Sequence, residues 1–184
     1  MKELAFALFC LSMVAAGVVQ AQQTPVDPAR EKVERADERL REFQEAQITD
    51  PTVFVKSAAL GNLAGIELAK LAQSKSQDAG IKAFAARMLK DYSAAHGELS
   101  AVARRERLDV PTSLVYEDEQ RVGQAAEKSS AEFDSWYRQQ MIIETQKALG
   151  LYQAAAKMDD ARLAAFARKT LPMLEEHQRL AASL

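Results

Sequence analysis

Residues 50–71 read DPTVFVKSAALGNLAGIELAKL, and this stretch decides the fold. Asp50 is a good helix N-cap, and Pro51 is tolerated at the first helical position because its missing N–H would have no partner there anyway. Apolar and small residues follow at Phe54, Ala58, Gly61, Ala64, Leu68 and Leu71. Their spacing of three and four residues is helical, and no alternation of period two competes with it. A helix running to about Ser76 is therefore expected.

The same pattern recurs downstream. Ser76 or Asp78 can cap a second helix bearing Ile81, Phe84, Ala85, Met88, Tyr92, Ala95, Leu99 and Val102. That helix ends in Arg104, Arg105 and Arg107, which suit the negative end of a helix dipole. Pro111 marks a connection. Thr112 or Ser113 is expected to cap a short acidic-start helix over 114–127. Ser129-Ser-Ala-Glu132 has capping-box spacing and opens a third long helix with Phe133, Tyr137, Met141, Ala148, Leu151 and Ala155. Asp159-Asp160 caps the last, with Leu163, Phe166, Ala167, Thr170, Leu174 and Ala181 on one face. Pro172 inside that pattern is expected to kink it. Four long amphipathic helices, joined two and two by a longer middle connection, describe an all-α four-helix bundle with a crossover containing a short helix.

Composition agrees. Of 184 residues, 48 % are hydrophobic, and glycine (7) and proline (5) are sparse enough to disfavour turn-rich β folds. A net charge of −2 leaves no polybasic footprint for nucleic acid. Residues 1–21 read as a cleavable signal peptide. Lys2 is followed by the uncharged run of residues 5–19, and Val19-Gln20-Ala21 offers a cleavage site. The run is shorter than the ~20 residues needed to span a bilayer. Cys10, the single cysteine, would leave with it, so no disulfide or thiolate site is expected. Residues 22–49 form a linker with Pro25 and Pro28, then a charged amphipathic helix over 30–47 with Val33, Ala36, Leu40 and Phe43 on one stripe. That helix either rests on the bundle (residues 50–184) or pairs with a protein partner or a second copy.

Polar residues on the apolar faces carry the chemistry. Glu67 falls on the side of Leu60, Leu63, Ala64 and Leu71. Glu144 lies within about 20° of Phe133, Tyr137 and Leu151 at ~100° per residue. His177 sits close to Phe166. Tyr92 is on the core face of its helix, with Asp91 and His96 at the margins. Buried carboxylates need a partner or a cation. Glu67, Asp91, Glu144 and His177 are thus a candidate metal set for a divalent ion (Fe, Mn or Zn), their levels agreeing to about 4–5 Å at 1.5 Å per residue. A buried polar cluster in which Glu144 or Glu67 hydrogen-bonds Tyr92, Tyr137 or His177 is the competing reading. The paired Glu-x-x-His of di-iron bundles is absent, which disfavours a redox enzyme. No nucleophile elbow, phosphate loop or dinucleotide fingerprint is present. Trp136 and Tyr137 read as core anchors, and Lys147 as a solvated or ion-paired edge residue.

Four segments carry a family resemblance: FVKSAALGNLAGIEL at 54–68, FAARMLKDY at 84–92, FDSWY at 133–137 and LPMLEEH at 171–177. In order and spacing the chain, over about 135 residues, resembles the ferritin-like family catalogued as domain of unknown function 4142. The resemblance implies a ferritin-like bundle in a bacterial secreted or periplasmic protein, often labelled a putative outer-membrane protein. His177 matches the family's histidine after the Leu-Pro turn. Asp91-Tyr92 stands where the family has Asp-His, and Thr145 stands where a second histidine is common. These readings together point to a periplasmic, non-enzymatic bundle acting as a binding or envelope-stress accessory protein, with peripheral envelope association. A degenerate divalent-metal site is the alternative.

Overall fold

A computed structural model describes residues 49–184. The signal-like segment, the linker and the whole of the charged helix (30–47) therefore lie outside the described residues. Five helices make up the rest: α1 (Pro51–Lys75), α2 (Ala79–Arg105), α3 (Tyr116–Glu127), α4 (Ser130–Ala155) and α5 (Ala161–Ala181). No strand occurs among the described residues.

Local chemistry sets the boundaries. The Asp50 carboxylate accepts from the Thr52 and Val53 amides at 2.7 and 3.1 Å. Asp78, not Ser76, caps α2 through the Ile81 amide at 3.0 Å. Ser76 closes α1 instead, its amide donating to the Ala72 carbonyl. The capping box forms between Ser129 and Glu132. Asp160, not Asp159, caps α5. The short helix differs from expectation. It begins at Tyr116 with Val115 as N-cap and no side-chain cap bond, so Thr112 and Ser113 remain in the connection. Its first turn carries Glu117, Asp118 and Glu119, whose charge favours a helix N-terminus without a cap. Helix α5 runs through Pro172. At the end of α2, Arg107 takes a left-handed φ of 59°. The Leu108 amide reaches the Ala103 carbonyl and the Arg107 amide reaches Arg104, which is a Schellman ending built without glycine.

The long helices pack as two hairpins, α1 with α2 and α4 with α5, and the hairpins pair α1 beside α4 and α2 beside α5. Phe54 near the start of α1 meets Tyr152 near the end of α4 at 5.3 Å, so these neighbours run antiparallel. Phe84 early in α2 lies 6.5 Å from His177 late in α5. The order is thus up, down, down, up. The crossover must travel the bundle's length, and α3 does so against α1 and α4. Lys75 ties its far end down through the Ala126 carbonyl at 2.7 Å.

An aromatic cluster fills each end of the core. Phe54, Tyr152 and Phe166 occupy one; Phe84, Phe133 and Tyr137 occupy the other. Gly65 makes room for Tyr92 between them: a Cβ there would lie 2.5 Å from the Tyr92 ring.

Candidate functional site

His177 is fully buried, and its Nε2 lies 2.8 Å from the Asp91 carboxylate. The Tyr92 and Phe84 rings flank it edge-on, at 5.4 and 6.5 Å between centroids. Its Nδ1 has no hydrogen-bond partner. Arg87 Nε donates to the same Asp91 oxygen at 3.3 Å and also approaches Glu176 at 3.7 Å, and Arg179 binds both Glu176 oxygens. Burial holds the imidazole pKa below its ordinary value, against the opposing pull of Asp91. Neutral His177 therefore carries its proton on Nε2 and donates to Asp91.

Glu144 faces the bundle, as its place on the stripe predicts, but it does not join His177. Arg121 from α3 reaches over it at 2.8 Å and also holds Asp118 at 2.6 Å. Gln140 and Lys147 bind the same Glu144 oxygen at 2.8 and 3.4 Å. Glu67 is placed differently. Its side chain is 42 % exposed and paired with Lys70 at 2.7 Å. The reason is that α1 is apolar on two sides. Its deep face is Phe54, Val55, Ala58, Asn62, Leu68, Ala69 and Ala72, while Leu63 and Glu67 look toward Thr112, Leu114 and Val122 of the crossover.

The structure thus joins two of the four proposed ligands, Asp91 and His177, and sends Glu67 and Glu144 elsewhere. Among the described residues no group of three or more His, Cys, Asp and Glu side chains is arranged to hold a metal. His96 is half-buried on α2, its Nδ1 also unpartnered and its pKa lowered by burial. Trp136 packs against Phe133 at 5.9 Å, and Tyr137 is fully buried.

One opening lies between α1 and α4. It is a cavity of about 300 Å³, lined by Ala58, Gly61, Ala64 and Leu68 of α1, Met88 and Tyr92 of α2, and Met141, Ala148, Leu151 and Tyr152 of α4. Arg121, Glu144, Lys147 and Ser57 complete the lining. Tyr152 is 2 % exposed, and its hydroxyl is sealed from solvent beside the buried Asn62 side chain. Burial raises the phenol pKa of both tyrosines. At Tyr92 the nearby Tyr152 and Glu144 add to it; at Tyr152 Asn62 partly opposes it. Both remain protonated donors at any physiological pH. By spacing alone, Ala58, Gly61 and Ala64 belong to an ordinary core face. Their smallness was the available signal: such side chains cannot fill the space beside α4.

An all-helical bundle with one lengthwise crossover is the class of protein these features define. The sequence profile described as Domain of unknown function (DUF4142) matches residues 37–184, and the chain belongs to that family. The match starts at residue 37, within the charged segment. No curated protein matches the chain. No solved structure matches it. No helix among the described residues is long and apolar enough to cross a membrane.

Proposed function

We propose that the protein is a non-enzymatic, ferritin-like helical bundle of the bacterial periplasm that works by binding, as an envelope or envelope-stress accessory protein. The up-down-down-up order with one long crossover supports the ferritin-like reading. The apolar run of residues 5–19 and the Val19-Gln20-Ala21 site support export. The observation that carries the binding role is the α1–α4 groove: an apolar cavity of ligand-pocket size. Two of the candidate site residues are meanwhile held in pairs, His177 with Asp91 and Glu144 with Arg121.

Two measurements test this reading. N-terminal sequencing of protein from the periplasmic fraction should begin after Ala21; a cytoplasmic, unprocessed chain would refute export. An uncharged apolar fluorescent dye such as N-phenyl-1-naphthylamine should bind the folded protein at one site and be lost in Gly61→Phe. A Cβ at Gly61 meets no atom within 4 Å, so the new ring has room to occupy the groove without clashing at its root. Dye binding that Gly61→Phe leaves intact would remove the groove from the proposal.

A further inference from the structure

Helix α4 differs from the other long helices on the side turned away from the core. At ~100° per residue, Gln139, Ile142, Ile143, Gln146, Leu149, Gly150 and Gln153 fall within about 120° of one another, on the opposite side from the groove. Ile142 and Ile143 are 45 % and 48 % exposed, Leu149 is half-buried, and the other four are exposed. This stripe contains no charged residue. The exposed faces of the other long helices carry Lys56 and Lys70 on α1, Lys82 and Lys90 on α2, and Arg162 and Lys169 on α5. Adjacent large apolar side chains on an uncharged face, rimmed by polar ones, mark an interaction surface.

The order of the residues specifies what covers it. Glutamine recurs every seven residues, and Ile142 with Leu149 and Ile143 with Gly150 keep the same interval. Steps of three and four are the seam of a coiled-coil pair. The stripe also reads nearly the same in both directions about Gln146. Laid antiparallel against a second copy, Gln146 meets its own counterpart, Ile143 meets Leu149, Gln139 meets Gln153, and Ile142 meets Gly150. A Cβ at Gly150 would find no atom within 4 Å, so a facing isoleucine has room. An amide both donates and accepts, so Gln146 pairs with itself where a charged residue would repel its copy.

The ends of the stripe agree in charge. Glu132 and Lys157 are exposed beyond its two ends, on the same side of α4. The antiparallel arrangement brings the acidic end of one copy within about one helical turn of the basic end of the other. A parallel pair would instead set Glu132 against Glu132 and face Gly150 with Gly150, leaving a gap.

We propose that the outer face of α4 is a self-association surface, on which two copies of the chain meet antiparallel across a two-fold axis at Gln146. Such a contact is isologous, and each half of the stripe supplies the complement of the other. From Gln139 to Gln153 the seam is about 21 Å long at 1.5 Å per residue, small against a standard interface, so the dimer is weak and reversible. The α1–α4 groove stays open in it, because no residue of the stripe lines that cavity.

Sedimentation equilibrium of the full chain, over about 5–500 μM, tests the proposal. The unaltered protein should be half-associated at about 10–100 μM, the range of a small interface. Gln146→Glu and Gln146→Lys should each raise that midpoint at least tenfold, because like charges then face each other at the axis. An equimolar mixture of the two variants should associate at least as tightly as the unaltered protein. That rescue requires residue 146 to meet residue 146, and it also shows that both variants are folded. An unaltered protein that stays monomeric throughout would overturn the proposal and leave the face to a different protein. A dimer that both single variants retain would overturn it in favour of another interface, such as residues 30–47. A mixture that associates no better than either variant alone would overturn the two-fold arrangement.

Discussion

Gly61 and Gly65 lie one helical turn apart on α1 and have opposite consequences. A methyl group at Gly65 would run into the Tyr92 ring, whereas one at Gly61 meets open space. Gly65→Ala should destabilise the protein, because overpacking of about 1–3 kcal/mol outweighs the ~1 kcal/mol gained from helix propensity. Gly61→Ala should stabilise it by about 0.5–1 kcal/mol. Urea unfolding of the two variants checks both signs. His177 gives a pH prediction. Its folded pKa lies below the unfolded value of about 6.5, so the unfolded chain binds more protons in that range. Its contribution to stability is complete above about pH 6.5 and declines as the pH falls below it. Half-buried His96 adds in the same direction, while Asp91 and Glu176 oppose and Arg87 reinforces the effect at His177. Melting curves should therefore shift down with acid through this window, and less steeply in His177→Gln. A His177→Gln slope equal to that of the unaltered protein would count against this assignment.

Among the elements, α3 is held least. Only Ala125 of its twelve residues is buried, and its side-chain anchor is Arg121 on Glu144. Few buried contacts mean a low free energy of local opening. Arg121→Ala should speed amide exchange across α3 and leave α2 and α5 protected; uniform loss of protection would mean that the latch supports the whole bundle. The end of α2 carries a different weakness. Arg107 occupies a left-handed position that glycine takes without penalty. Arg107→Gly should raise stability by about 1 kcal/mol, read from the denaturation midpoint.

For the molecule as a whole, the ion pairs weigh on the metal reading. Recruiting Glu67 and Glu144 would cost their Lys70 and Arg121 pairs, and Glu67 lies beside Thr112, Leu114 and Val122 of the crossover. Adding Zn²⁺, Mn²⁺ or Fe²⁺ should leave the melting temperature unchanged, since a ligand stabilises only what it binds. Elemental analysis of protein purified from the periplasm gives the same answer independently. A stoichiometric metal lost in Glu144→Ala plus His177→Ala would reverse it.

Much of the architecture was written locally. The caps at Asp50, Asp78, Ser129 and Asp160, the helical spacing and the long middle connection need only neighbours three or four residues away, so sequence alone determined four long helices and a crossover. The burial of His177 and Tyr92 was legible for the same reason: each sits on a single apolar stripe. Helix α1 was ambiguous because it carries two such stripes, and only packing decides which one meets the core. Periodicity assigns a direction around one helix axis and nothing about what stands opposite. Tertiary structure therefore decided that Asp91 receives His177, that Arg121 crosses from α3 to take Glu144, and that the small residues beside α4 leave a groove.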